Sequence, residues 1–228
     1  MFERVATGIS GLDAIIEGGL PKGRTYVVTG HAGSGKTILA TQFLYNGIYK
    51  FSEKGLYVSF EESSNDISDN LSRFNWNLDP YLKDDSFKLL CMPFFQPETD
   101  SKKRFLKIIT EEIKKNNYTR LVLDSLPAIE LLYQDSNNLR KELFEMFQEI
   151  RELGCTTIII SEKTSGTIGL THFGIEDFLS HGLIVMHLSH TYRGIEVRKM
   201  RGTSHNTDIH RLKISDNGIT VYAGDHPY

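Results

Sequence analysis

Gly30-His31-Ala32-Gly33-Ser34-Gly35-Lys36-Thr37 fits the pattern G-x-x-x-x-G-K-[ST], the Walker A phosphate-binding loop (P-loop) of nucleoside triphosphatases. Its flanks suit the motif. Residues 24–29, Arg-Thr-Tyr-Val-Val-Thr, read as a buried strand, β-branched and aromatic and running into a glycine. Beyond the loop, Ile38, Leu39, Phe43, Leu44 and Ile48 recur close to helical spacing. Glycines let the backbone curl round an anion with N–H groups pointing inward, and the helix starting near Lys36 adds its positive dipole end. Nucleotide contacts are therefore expected along His31, Ala32, Gly33, Ser34, Gly35, Lys36, Thr37 and Ile38. Lys36 reaches the β- and γ-phosphates in this motif, and the Thr37 hydroxyl ligates Mg²⁺.

Working outward, strand-like segments at 24–29, 55–60, 86–91, 120–124 and 155–161 alternate with helix-like segments at 36–49, 64–75, 101–116 and 137–152. In the last of these helices Leu139, Leu143, Phe147 and Ile150 form a one-sided apolar stripe. Strand then helix, repeated, predicts an α/β fold with a mostly parallel central sheet flanked by helices. From 182 the rhythm changes. Strands are predicted at 182–188, 194–201, 208–214 and 218–222, with a hairpin turn at Asp216-Asn217-Gly218. The C-terminal part is thus expected to extend the same sheet with antiparallel strands. Residues 92–100, with Pro93 and Pro97, form the most irregular stretch, and 1–228 reads as a single domain.

Composition narrows the function classes. The 228 residues are 39% hydrophobic, enough for a core, and the formal net charge is −3. That charge gives no global case for binding nucleic acid or an anionic membrane. Two cysteines, Cys91 and Cys155, lie in apolar segments and read as buried free thiols of a reduced compartment. No apolar run approaches the ~20 residues of a membrane span, and the first residues lack a signal-peptide stretch, so a cytoplasmic location is expected. Eight histidines occur without metal-ligand spacing.

A phosphate-binding loop needs helpers. Arg120-Leu121-Val122-Leu123-Asp124 is an apolar strand ending in a carboxylate, the usual second motif of this class, and Asp124 would hold the Mg²⁺ water shell. Phe60-Glu61-Glu62 closes the strand after the loop's helix. Paired carboxylates at such a strand end can orient an attacking water; a helix start, capped by Ser63 or Ser64 with acidic charge near the dipole, suits Glu62 more than Glu61, and both readings can hold at once. Cations gather in Val197-Arg198-Lys199-Met200-Arg201-Gly202-Thr203-Ser204-His205. Lys199 and Arg201 alternate and so share a strand face, placed to neutralise a phosphoryl group across a subunit boundary. The alternative is an edge strand guarded by positive charge.

The chain resembles the KaiC-like ATPases of the RecA/RadA-type superfamily. Four stretches carry the resemblance: Thr7-Gly8-Ile9-Ser10-Gly11-Leu12-Asp13 with Gly18-Gly19-Leu20-Pro21-Lys22-Gly23, the phosphate loop, Phe60-Glu61-Glu62, and Met200-Arg201-Gly202-Thr203-Ser204-His205. The resemblance implies a RecA-like fold, a homo-oligomeric and hexameric ring with ATP between neighbouring subunits, and ATP hydrolysis. It implies Glu61 and Glu62, with Lys36, as the catalytic set. It implies that Lys199, Met200, Arg201, Thr203 and His205 approach the neighbour's ATP, with Ser215 and Asp216 near the same nucleotide. Thr207 stands where the clock proteins' first domain has a further lysine. Residues 174–180 resemble that domain, which is not phosphorylated, so timekeeping does not follow. What the resemblance implies is a Mg²⁺-dependent ATPase acting on an unidentified protein partner. A DNA-binding recombination accessory protein and a non-hydrolysing nucleotide sensor share the core; no basic or aromatic cluster indicates nucleic acid.

Overall fold

Strands and helices alternate from Thr25 to Ile160, as the sequence pattern requires. The computed structural model describes residues 2–92, 101–130, 138–162 and 179–224. A small N-terminal hairpin comes first: β1 (Arg4–Val5) pairs antiparallel with β2 (Leu20–Pro21), enclosing the short α1 (Leu12–Ile15). Then follow β3 (Thr25–Gly30), α2 (Lys36–Phe51), β4 (Gly55–Ser59), α3 (Ser64–Ser72), α4 (Asp79–Lys83), β5 (Phe87–Cys91) and α5 (Ser101–Asn116). The alternation closes with β6 (Arg120–Asp124), α6 (Leu126–Glu130), α7 (Leu139–Glu152) and β7 (Thr156–Ile160). Last come β8 (Gly182–Leu188), β9 (Arg193–Met200), β10 (Ile209–Ser215) and β11 (Gly218–Tyr222). The elements expected from periodicity are all present; α1, α4, α6 and the β1–β2 pair are too short to leave a periodic signal. The irregular stretch with Pro93 and Pro97, and residues 174–178, lie outside the described residues.

Nine strands form one sheet in the order β11-β10-β9-β8-β3-β7-β6-β4-β5. From β8 to β5 every pairing is parallel; β9, β10 and β11 add on antiparallel. The Asp216-Asn217 turn closes the β10–β11 hairpin, with Ser215 opposite Gly218. The parallel strands are apolar on both faces because both are covered. Tyr26 and Val28 of β3 pack with Leu39, Phe43 and Leu44 of α2, while Val27 between them packs with the layer of Phe105 and Ile109 (α5) and Phe147 and Ile150 (α7). Each fully buried side chain of this size contributes roughly 1.5–3 kcal/mol.

Arg120 at the start of β6 is buried to 1% exposure. Its Nε donates to Glu53 Oε2 at 2.5 Å, Nη1 to Phe43 O at 2.7 Å and Nη2 to Ala6 O at 2.8 Å. It therefore ties the segment before α1, the body of α2 and the central sheet together. Cys155 is buried and free, and burial pushes its thiol up to about 12. Cys91 corrects the expectation of two buried thiols: it is free but partly exposed, because β5 is an edge strand.

Candidate functional site

Four parallel strands, β3, β7, β6 and β4, lie side by side and end at the same edge. Their C-terminal ends border a cleft of about 290 Å³ that carries the phosphate loop, Glu61, Glu62, Asp124 and Glu162. This is where a doubly wound sheet places a ligand crevice. Gly35 caps α2 at φ 105°, in the left-handed region, and a Cβ there would lie 2.9 Å from Ile214 Cδ1. A side chain is therefore strained by the backbone, and it would also push the Ile214 tip aside.

Lys36 is 7% exposed and lies over its own loop, donating from Nζ to Gly30 O at 2.9 Å and His31 O at 3.1 Å. Burial pushes its ammonium below the usual lysine value, and Glu162, Asp124 and Glu61 pull against that. Glu162 Oε1 stands 3.7 Å from Nζ. Thr37 Oγ1 donates to Asp124 Oδ2 at 3.1 Å, and the Tyr57 hydroxyl donates to the same oxygen. Burial raises the Asp124 carboxyl to about 6; the Tyr57 and Thr37 hydrogen bonds oppose the rise, and Glu61 and Glu62 add to it. A hydroxyl and a carboxylate converging at the first residues of a helix form an oxygen donor set that fits a hard cation such as Mg²⁺ once phosphate oxygens complete the shell. Among the described residues no group of three or more His, Cys, Asp or Glu is arranged to hold a metal by itself.

β4 ends at Ser59, one residue earlier than expected, so the glutamates occupy a turn. Phe60 N donates to Asp124 O at 2.8 Å, which ties this turn to β6. Ser125 Oγ donates to Glu61 Oε1 at 2.5 Å. Glu62 N donates to Ser59 Oγ at 2.9 Å, and Asn70 Nδ2 reaches Glu62 Oε2 at 3.5 Å. The helix-start reading holds for the cap: Ser63 caps α3 directly after Glu62, while Asp66 supplies the acid of the first turn. Both glutamates are exposed to the cleft mouth.

The second group of expected site residues lies elsewhere. β10 pairs with β9 only over Arg193–Glu196, so among the described residues the cation-bearing half from Val197 to Met200 is bonded to β8 alone and keeps an open side, as the guarded-edge alternative expects. The strand ends at Met200, which places Arg201 in the following turn rather than on the strand. Lys199 Nζ donates to Ser180 O at 2.7 Å, and Arg201 N donates to His181 O at 2.8 Å. Both still gather at one spot, around His181, whose imidazole is pushed down to about 4 by burial and then by Arg24, Arg201, Arg151 and Lys199. Met200 is buried, and His205 Nδ1 lies 3.1 Å from Thr203 O.

Register fixes where this group stands relative to the cleft. Met200 pairs with Gly182, Gly182 with Tyr26, and Gly30 with Met186. The cations are thus level with the start of β3, while the phosphate loop leaves its end. At ~3.3 Å per residue the two ends of this short strand lie on the order of 13–17 Å apart. Within one chain Lys199, Met200, Arg201, Thr203 and His205 do not join the cleft. Ser215 and Asp216 sit at the other end from them, beside the loop, since Ile214 lies against Gly35. Asp216 O accepts from Asn75 N at 2.7 Å. The residues that resemblance places near one nucleotide are thus split between the two ends of the sheet.

Sequence reading missed Glu162, Ser125 and Tyr57. Glu162 follows the end of β7, next to the loop strand, and that placement was the available signal. Tyr57 is buried in mid-strand, and nothing in the alternation distinguishes it from a core residue.

The fold and cleft define a RecA-like P-loop nucleotide-binding protein. A family model described as "ATPase: KaiC" matches residues 5–226, and the chain belongs to that family. It is 34% identical to the circadian clock oscillator protein KaiC of Thermostichus vulcanus over 232 residues, and 34% identical to that of Nostoc sp. over 229. Each match covers 96% of this chain and 44% of the relative, so the chain spans less than half the length of these clock proteins. The crystal structure of a KaiC-like protein from the hyperthermophilic archaeon Pyrococcus horikoshii OT3 is similar with a TM-score of 0.87 at 34% identity, over 97% of this chain and 100% of that one.

Proposed function

We propose that residues 1–228 form a single KaiC-like domain that binds Mg-ATP in the cleft and hydrolyses it between neighbouring copies in a ring, hexameric as the resemblance implies. The observation that carries this reading is the convergence of Lys36, Thr37, Asp124 and the Glu61–Glu62 turn on one cleft. Lys36 moves from its own loop carbonyls to the β- and γ-phosphates, anions that offset its burial. Thr37 and Asp124 hold Mg²⁺, which neutralises the phosphate oxygens. Glu61 orients or deprotonates the attacking water, and Glu62 supports it from the same turn. Lys199 and Arg201 stand at the opposite end of β3 from their own cleft, so their use is a neighbour's phosphates, as with an arginine finger. Thr203 and His205 line the same approach, with the main chain of buried Met200 between the two cations, and Ser215 and Asp216 border the nucleotide of their own chain. Among the described residues no helix is long and apolar enough to cross a membrane, and we place the protein in the cytoplasm with an unidentified protein partner.

Replacing Glu61 and Glu62 together by Gln tests the catalytic half. Thermal stabilisation by Mg-ATP is expected to persist while turnover falls ~10²–10⁴-fold. Wild-type turnover in the double variant would overturn the assignment.

A further inference from the structure

The loop after β9 is held by residues from the other end of the sequence. Arg4 in β1 places Nη1 3.2 Å from Ile16 O, 2.9 Å from Gly19 O and 3.0 Å from Thr203 Oγ1. Its Nη2 pairs with Glu17 Oε2 at 2.6 Å. One guanidinium thus joins β1, the turn between α1 and β2, and the loop that follows Met200. A guanidinium suits this role, since its planar donors are fixed relative to one another.

Phe2 makes a second, separate contact. Gly202 has φ 76°, and a Cβ there would lie 2.4 Å from Phe2 Cε2. The ring is itself braced, with the Arg24 guanidinium 4.2 Å from its centroid. A third tie comes from the backbone, where Asn206 N donates to Ile15 O at 3.3 Å. The loop is otherwise solvent-facing: Arg201, Gly202, Ser204 and Asn206 are all exposed. None of Phe2, Arg4 or Glu17 borders the cleft.

We propose that Arg4 and Phe2 are positioning residues that hold the 201–205 loop in its interface conformation before the neighbouring chain arrives. This rests on the reading that Lys199 and Arg201 act on a neighbour's nucleotide. A loop already ordered loses less freedom on association, and its cations meet the phosphates without searching. Removing the clamp weakens assembly and turnover while leaving nucleotide loading of the cleft intact.

The test compares Arg4→Met, Phe2→Ala, Glu17→Gln and Arg201→Ala in the full chain. Three quantities are read: the protein concentration for half-maximal assembly in Mg-ATP, turnover at saturating ATP, and fluorescent ATP-analogue binding. Arg4→Met is expected to raise the half-assembly concentration about tenfold, the scale of a lost pre-ordering contribution. Turnover should fall with assembly, and analogue affinity should stay within about twofold of wild type. Phe2→Ala should shift the same quantities in the same direction, and it carries the test if Arg4→Met does not fold. Glu17→Gln, which removes the ion pair but leaves the Thr203 contact, should behave as wild type. In an Arg201→Ala background Arg4→Met should add less than it does alone. Wild-type behaviour of Arg201→Ala would overturn the trans reading itself. A defective Arg201→Ala beside wild-type-like Arg4→Met or Phe2→Ala would overturn the clamp alone. So would an equal defect in Glu17→Gln, or full additivity with Arg201→Ala, since Arg4 would then be a general brace of the fold.

Discussion

Replacing Asp124 by Asn should stabilise the ligand-free protein at neutral pH while removing its response to Mg²⁺. The carboxyl is raised from 3.8 to about 6, chiefly by burial. The unfolded chain therefore releases this proton first as pH rises, and the folded chain keeps it until about pH 6. Between those values the folded state binds more protons, so stability falls as pH increases through the window and the loss is complete above it. The interval from 3.8 to about 6 corresponds to about 3 kcal/mol at 1.36 kcal/mol per pH unit. Asparagine has the same shape and keeps an oxygen to accept from Tyr57 and Thr37, but carries no charge to desolvate. Allowing for relaxation around the site, the variant should gain about 1–3 kcal/mol at pH 7.5, with ~2–4 °C in Tm for each kcal/mol. That gain should shrink towards pH 4, where wild type is protonated as well. The assay is thermal unfolding from pH 4.5 to 8 in chelator without nucleotide. Parallel curves for the two proteins, or a variant less stable than wild type at pH 7.5, would refute the argument that an ionised Asp124 is held in the fold at a cost.

Three other perturbations probe separate parts of the account. Lys36→Ala should abolish the thermal shift with Mg-ATP, which in wild type corresponds to roughly 2.7 kcal/mol at ~100-fold Kd; an equal shift in both proteins would remove the loop as the binding site. Arg120→Met should cost about 3–5 kcal/mol in urea unfolding, because Glu53 loses its buried partner and two carbonyls lose their donor; a change under 1 kcal/mol would show that the bridge is dispensable. Arg201→Ala should weaken ATP-dependent assembly in light scattering without lowering the melting temperature of the dissociated chain; a wild-type scattering profile with Mg-ATP would contradict its interface role.

The sheet was legible because both of its signals are local. The β3-loop-α2 unit announces itself by a full motif, and buried parallel strands appear as short apolar runs whatever their neighbours. Strand order was not legible: β4 follows β3 in sequence yet lies three strands away, an arrangement that only packing decides. The cleft could be read as far as its carboxylates stood at strand ends, which gave Asp124, Glu61 and Glu62 but passed over Glu162. Tyr57 was hidden because a strand residue's hydroxyl gives no sign in the sequence of which oxygen it will meet. Arg120 is the sharpest case. A charged residue opening a strand reads as an exposed end, and its burial depends on Phe43, Glu53 and Ala6 converging from three segments. The alternation argument for Lys199 and Arg201 placed them together for a reason that does not hold, since the strand stops between them. The turn brings both to His181 instead.

The central claim is that one chain's cleft is completed by the next chain's cations. A mixture of two inactive proteins tests it most directly. Glu61→Gln with Glu62→Gln keeps the loop and the cations but lacks the water-activating pair. Arg201→Ala keeps the cleft but lacks the cation. In rings formed from equal amounts of both, about one interface in four joins an intact cleft to an intact neighbouring loop, since a heterologous contact takes each half from a different chain. Turnover of the mixture should therefore rise to about a quarter of the wild-type rate. A mixture no more active than the average of its two components would contradict the claim.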